Sequence, residues 1–592
     1  MVLEAAATEA TPIPAPQPGP TAEKSAAAGV EATPLSSPVD DVSVQDEAER
    51  IFKEVLLKDG SLQLPANTAQ FAGATTIDRT TTKRPVVPCP SKMTETSTAL
   101  WALAATLGNL ICNARYGLVQ EVSVNSEVAT LFLLSSAIVS VGGKTLQEPS
   151  IAKRYMRYDL GNSCETYRRL ATNIYPTKDG KWFHLHGSMD ATPTLTMLNL
   201  PLSRPELDEQ SATHEFCSVV RGWDSRTLDQ TANEQYRQAG TICYTPQEFK
   251  ESEQGRAIAA HSLYLLKKLP SPAPKPIAWP APGPNSTRRP LEGIKILDVS
   301  RVIAAPTIAK LCALFGATVI RISCLSNPDM GPLLVDGNLG KHDVTLDLKS
   351  GSGKSTLRRL IKDADVFLDG YRPGAMDRLG FSPSDVQRLS EKGIVYVREN
   401  CYGWAGPLSH RSGWQQISDC MTGVSYLMGR FLKLSDREPV VPLLPNSDYQ
   451  TGLSGLIGIM AALVARNQHG GSQLLDVSLN YYNQFLLAQG EHSTATQDYL
   501  REHYAGTPVM GLRHYDDMPR LVGKTLISLK QRSPQIFKKE YFMSMPARLG
   551  GNAGEVMTFV GPAIAYSGET KLKYDVGSCF LGVDQPEWPA DE

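Results

Sequence analysis

A few sets of residues have the types and spacing that chemistry requires. Asp448 closes the run Leu444-Pro-Asn-Ser-Asp448 just ahead of a helix-like stretch at 451–466. A carboxylate there is either a helix N-cap or a nucleophile. In the second case the free N–H groups at 449–452 and the partial positive charge of the helix start can steady an oxyanion. His184 and His186 lie two apart on one face of a strand-like segment, a spacing that can serve a metal. No third ligand is obvious, so a packed or solvated pair is the simpler reading and no metal site is expected. Leu348-Lys-Ser-Gly-Ser-Gly353-Lys354-Ser355 imitates a phosphate loop, but that motif needs Gly where Leu348 stands. Ser300 to Pro306 carries no GxGxxG, and no GxSxG or HExxH occurs. Cys401 and Cys420 lack the local signature of a thiol enzyme.

These residues sit in a chain of 592, long enough for more than one folded unit. Apolar residues make up 42% and charged residues 20%, a globular balance. Lys and Arg total 59 against 61 Asp and Glu, so no basic excess supports nucleic acid or a charged membrane surface as partner. The longest apolar stretches, near 128–142 and 452–465, fall short of the ~20 residues of a membrane span. The ten cysteines are scattered, with no CxxC pair, and read as free thiols in a reducing compartment. The first residues lack the features of a signal or transit peptide and the last are no peroxisomal address, so a cytoplasmic location is the expectation.

The elements that must position the candidate residues follow from patterning. Residues 1–45, rich in Ala, Pro, Thr and Ser, read as a disordered tail. A proline-dense stretch within 269–290 reads as a semi-rigid linker between halves at 46–268 and 291–592. The second half alternates buried-strand runs (294–299, 318–322, 344–348, 365–368, 394–397) with helix-like segments (304–315, 352–362, 384–391). That alternation predicts an α/β fold with a doubly wound parallel sheet. In the first half, 97–112 and 246–268 look helical, and Lys178–His186 reads as a turn and strand. Pro90–Asn125 aligns without gaps on Pro445–Asn480 at an offset of 355. The echo is either an internal duplication or two similar helix–strand units.

Residues 291–480 resemble the class III CoA-transferase family (CaiB/BaiF type), which includes the α-methylacyl-CoA racemases. The resemblance rests on motifs in family order. They include Leu291–Ser300, Phe315-Gly-Ala-Thr-Val-Ile320, Tyr371-Arg-Pro-Gly-Ala375, Arg378-Leu-Gly380, Tyr402-Gly403, Leu444–Asp448 and Asp476-Val-Ser-Leu479. In the first half, Arg115-Tyr-Gly117, Glu121–Val124, Asp179–Leu185 and Gly240–Glu248 resemble the family's later part, including its smaller α+β domain. The chain thus looks like a long, two-copy member with a degenerate first half.

The resemblance implies a Rossmann-like large domain and transfer of CoA from an acyl-CoA to a free carboxylic acid. Asp448 is the implied nucleophile, and the CoA thioester is a substrate, with no permanently bound cofactor. Val302, Ile303, Lys341, Tyr371 and Arg378 match CoA-contacting positions, while Cys324 replaces an Arg of the relatives. Racemases carry Gly-His-Asp where this chain has Gly413-Trp414-Gln415. Indole cannot exchange a proton near neutrality, which favours transfer over racemisation and leaves Trp414 and Gln415 to line the substrate channel. The position aligned with Asp448 in the first copy is Met93, so that copy reads as non-catalytic. A racemase or epimerase and a non-catalytic CoA-binding protein are the alternatives. A homodimer or a pseudo-dimer within one chain is the expected assembly.

Overall fold

The computed structural model describes residues 42–146, 148–270, 275–284, 286–550 and 554–590. The expected tail lies outside this range except at its end, where a helix begins at Val44 with Ser43 as its cap. Part of the expected linker, 271–274 and 285, also lies outside it, and so does the middle of the glycine-rich run at 550–554.

Within the first half, α1 (Met93–Tyr116) is a 24-residue helix buried along most of its length. The strands β1 (Asn173–Pro176), β2 (Trp182–Leu185) and β3 (Gly240–Ile242) form a small antiparallel sheet with an apolar cluster of its own. Residues 246–268, expected to be helical, instead give two short helices and then a strand, β4 (Tyr264–Lys268). Its Leu-rich run is drawn into a sheet edge, where pairing and burial outweigh local helix preference.

The second half builds β5 (Lys295–Val299), α2 (Ala304–Leu314), β6 (Thr318–Ser323), β7 (Lys341–Thr345), α3 (Gly351–Asp363), β8 (Val366–Asp369) and β9 (Val395–Asn400). It continues with α4 (Gln415–Thr422), α5 (Asn446–His469), β10 (Gln473–Ser478) and α6 (Leu479–Ala488). Seven strands form one sheet in the order β7-β6-β5-β8-β9-β10-β4. Neighbours are parallel except at β10–β4. The fold is therefore α/β, and its first six strands follow the doubly wound order 3-2-1-4-5-6. Such a sheet places its crevice at the C-terminal ends of the strands where the order reverses, here β5 and β8.

The halves drawn at the linker exchange strands. β4 from the first half completes the large sheet. Ile564–Tyr566 from the C-terminal region pairs with Val122–Val124, and Val556–Val560 pairs with Ser140–Val141.

Two local results correct simple pattern reading. The glycine–serine run at 350–353 is a helix cap: Ser350 Oγ accepts from the Gly353 N–H at 3.0 Å. β7 starts at Lys341, three residues before the apolar run at 344–348. Its polar residues are hidden by pairing: Lys341 Nζ binds Asp298 Oδ2 at 2.7 Å, and Asp343 meets Arg321 and Ser323.

Helix α5 is held by close packing. A Cβ on Gly452 would meet Thr307 Cγ2 at 2.4 Å, and one on Gly455 would meet Ile308 Cδ1 at 2.5 Å, both on α2. Only glycine allows that approach, and the approach fixes the depth of the helix start. On another side α5 touches α1: Gln450 Nε2 donates to the Met93 carbonyl at 3.2 Å.

Candidate active site

The helix that carries Asp448 begins at Asn446, five residues before the expected start at 451. Short polar residues favour turns because their side chains compete for local backbone groups. Here those side chains are engaged elsewhere. Asn446 Nδ2 donates to Tyr482 Oη at 3.0 Å, and Ser447 Oγ donates to Asp419 Oδ1 at 3.0 Å. Asp448 is thus the third residue of the helix. Pro445 holds the cap position, and no side chain caps the helix start. The orphan N–H groups are those around 446–448, rather than 449–452, because the Tyr449 N–H already bonds to the Pro445 carbonyl.

Asp448 is 8% exposed, and its carboxyl has no hydrogen bond or ion pair among the described residues. Burial, then the nearby Glu399 and Asp419, push its pKa well above the ordinary carboxylate range. Asp419, on α4, is tied down by Gln415 Nε2 at 2.7 Å, Asn483 Nδ2 at 2.8 Å and Ser447 Oγ. Its pKa rises to about 6 through burial. Glu399 keeps an opening to solvent and lacks a partner among the described residues. Burial, and after it Asp369, raise it to about 8.

Gln415 Nε2 also reaches the Leu444 carbonyl at 3.2 Å, which anchors the segment leading into α5. Trp414 precedes α4 in extended geometry. Its ring lies parallel to His186, with centroids 4.9 Å apart and planes 6° apart. His186 belongs to the first half, just past β2. Burial holds its pKa well below the usual imidazole value, and its Nδ1 accepts from the Ser188 N–H at 2.9 Å. The stack is therefore made with a neutral imidazole. Among the described residues no cluster of three or more His, Cys, Asp or Glu is arranged to hold a metal ion.

The sheet's switch point brings another group together. Between β5 and α2, Val302 adopts φ 74°, a left-handed conformation that a β-branched residue rarely takes. Val302, Ile303, Ser136, Thr307, Asp336 and Tyr449 line a small pocket, with room for about one water, that reaches the first turn of α5. After β8, Tyr371 carries the Arg301 guanidinium 5.1 Å from its ring centroid. Arg372 and Arg378 are exposed and have no acidic partner among the described residues. Lys341 is placed differently. It is fully buried, and its ammonium donates to Asp298 and to the Pro306 carbonyl at 2.7 Å.

Val302, Ile303 and Tyr371 thus flank the switch point, and Asp448, Trp414 and Gln415 gather around the start of α5. Lys341 lies inside the sheet. Sequence reasoning missed Glu399, Asp419 and Arg301, and it set His186 aside. A charged residue ending an apolar strand was the available signal for Glu399. His186 had none, because it comes from the other half of the chain.

A family model described as CoA-transferase family III matches residues 291–522. The chain is 38% identical over 570 residues to an acetyl-coenzyme A transferase, nodX, from Hypoxylon pulicicidum, covering 93% of this chain and 94% of that one. This chain belongs to CoA-transferase family III. It is also 33% identical over 412 residues to an acyl-CoA transferase from Gibberella moniliformis, covering 67% of this chain and 71% of that protein. A solved CaiB/BaiF family protein from Brucella suis is 26% identical, with a TM-score of 0.32, over 34% of this chain and 56% of that one. As a family III member the chain is a CoA-transferase, acting between an acyl-CoA and a carboxylate. No helix among the described residues is long and apolar enough to cross a membrane.

Proposed function

We propose that this CoA-transferase works through Asp448 and an aspartyl–CoA intermediate. The observation that carries the reading is a buried carboxyl in the first turn of a long helix, capping nothing and without a hydrogen bond or ion pair among the described residues. Asp448 attacks the acyl-CoA carbonyl, the C–S bond breaks, and CoA leaves as a thiolate. The resulting mixed anhydride is attacked at the Asp448 carbonyl by that thiolate. The first acid is freed and an aspartyl thioester remains. An incoming carboxylate attacks this thioester and expels the thiolate, which then takes the new acyl group and restores Asp448. Each step is a substitution at a carbonyl, with no net proton uptake. The orphan N–H groups around 446–448 lie where the oxyanions develop.

Val302, Ile303 and Tyr371 hold the nucleotide end of CoA at the switch point, and Arg378 with Arg301 meets its phosphates. Lys341 serves this loop from within, through the Pro306 carbonyl. Trp414 and Gln415 line the acyl channel. Short acyl-CoAs are the substrates to try first, acetyl-CoA among them. The contact of α1 with α5 supports pairing of the two halves within one chain, and the reading places the reaction in the cytoplasm.

The test is to incubate the protein with acetyl-, propionyl- and succinyl-CoA, trap with hydroxylamine or borohydride, and map adducts by mass spectrometry. Modification at Asp448 is the expected result. α-Deuterium exchange without an adduct overturns it in favour of a racemase. Retention on a CoA matrix with neither result overturns it in favour of binding alone.

A further inference from the structure

We infer that Tyr449 is a positioning residue for Asp448, and that the first half of the chain serves the reaction through it. A buried chain of hydrogen bonds runs from Ser136 through Tyr449 and Asp336 to Lys310, and it fixes how far α5 is rolled about its axis. The inference rests on the reading of Asp448 as nucleophile and concerns what holds that nucleophile in place.

Each link of the chain is made. The Ser136 N–H, on the short helix Ser135–Ile138 of the first half, donates to Tyr449 Oη at 3.0 Å. Tyr449 Oη donates in turn to Asp336 Oδ2 at 3.1 Å, on the helix Gly331–Gly337. Asp336 Oδ1 accepts from Lys310 Nζ, on α2, at 2.6 Å. Phe132, also of the first half, meets the Tyr449 ring edge-on, with centroids 5.1 Å apart. Tyr449, Asp336 and Lys310 are all buried. Burial, and after it the Asp336 charge, keep the phenol protonated, so its hydroxyl has a proton to donate.

A buried Lys–Asp pair is a poor source of stability, because desolvation of both ions offsets their attraction. What a fully bonded network of this kind supplies is one defined geometry. Helix geometry gives that a use. Successive helix residues point about 100° apart, so fixing the direction of Tyr449 fixes that of Asp448. A side-chain atom about 6 Å from the axis moves about 1 Å when the helix rolls by about 10°. A displacement of about 1 Å at a reacting group costs about 100-fold in rate. The rest of the turn is held from the second half, Asn446 by Tyr482 on α6 and Ser447 by Asp419 on α4. Among the described residues, Tyr449 is the one of 446–449 whose side chain bonds to the first half. The first half carries Met93 where α5 carries Asp448, yet it keeps this hold on the helix start.

The test is CoA exchange by Y449F, D336L/K310M, D336N/K310M and D448N, measured with the acyl-CoA that wild-type protein turns over. Y449F keeps the ring against Phe132 and removes only the hydroxyl. It is expected to lower kcat about 10- to 100-fold with KM for the acyl-CoA within about twofold of wild type. Hydroxylamine-trapped labelling of Asp448 in a single turnover is expected to slow by the same factor. D336L/K310M replaces the ion pair by apolar side chains and leaves the phenol without its acceptor; its kcat is expected to fall about tenfold. D336N/K310M returns an amide oxygen to the phenol and is expected to recover most of that loss. Wild-type kcat in Y449F, a Y449F loss that lies in KM alone, or equal kcat in the two double variants overturns the inference. If Y449F does not fold, the two double variants decide. D448N separates the two claims. If it is inactive while Y449F keeps wild-type kcat, only the role of Tyr449 fails. If D448N turns over normally, the nucleophile itself is wrong and this inference falls with it.

Discussion

Helices α1 and α5 are both 24 residues long, each leads into a strand and a further helix, and they touch side by side. Their starts differ in what they do with a buried acid. At α5, Asp448 is 8% exposed and has no hydrogen bond or ion pair among the described residues. At α1 the aligned residue is Met93, 2% exposed, and the nearby acid, Glu95, is sealed in. Glu95 sits 3.9 Å from His492 Nδ1, and Lys92 beside it is paired with Glu47. Two similar frames thus hold a buried acid in two ways, one without a partner among the described residues and one beside a histidine.

The largest effect that tests this contrast is removal of Asp448. D448N is expected to lower CoA exchange by about 1000-fold or more while thermal unfolding shifts little. Adding Met93→Asp to that variant is expected to restore nothing and to destabilise the fold by about 3 kcal/mol or more, because a charge enters a packed site. Restored exchange would break the comparison.

Next comes the pH response of the closed acid. Burial raises Glu95 to about 8. The folded state therefore holds a proton that the unfolded chain releases near its ordinary value of 4.5. Glu95 costs nothing below that value, costs progressively more stability as pH rises toward 8, and levels off above it. Glu95→Gln is expected to match wild type in melting temperature at pH 4.5 and to exceed it by several kcal/mol of stability at pH 8–9. The CoA-exchange rate is expected to stay as it was. Equal melting temperatures at pH 9 would contradict the sealed position.

A smaller effect concerns the depth of α5. Gly455→Ala puts a methyl into Ile308 and is expected to cost about 1–3 kcal/mol, with exchange falling as Asp448 shifts. Wild-type kcat in a destabilised variant would show that depth is not critical. The smallest effect is expected at the aromatic wall. His186→Ala removes a stacked ring from Trp414, costing about 0.5–1.5 kcal/mol and altering preference among acyl-CoAs without abolishing exchange.

Much of the fold was legible because apolar periodicity is local. β5, α2, β6, α3 and β8 lie within a few residues of their expected ends. Elements bounded by polar residues were harder. The first part of β7 is Lys341, His342 and Asp343, which no hydrophobic pattern marks as strand, and only ion pairs within the fold let it be buried. The start of α5 was misplaced for a related reason: Asn446 and Ser447 read as turn formers until Tyr482 and Asp419 take their side chains. The site divides in the same way. Asp448, Trp414 and Gln415 were found from motif order. Glu399 and Asp419 gain meaning only from the elements that converge on them.

By itself the sequence determined the α/β alternation, the family and the aspartate on which the chemistry is proposed to turn, because those depend on residue order along a short stretch. The tertiary structure decided that Lys341 faces inward to Asp298 and that His186, more than 200 residues from Trp414, lies flat against its ring. It also decided that Tyr449, at the start of α5, lines a small pocket with Val302 and Ile303. Burial and electrostatic neighbours are set by residues distant in the chain, and no local pattern records them.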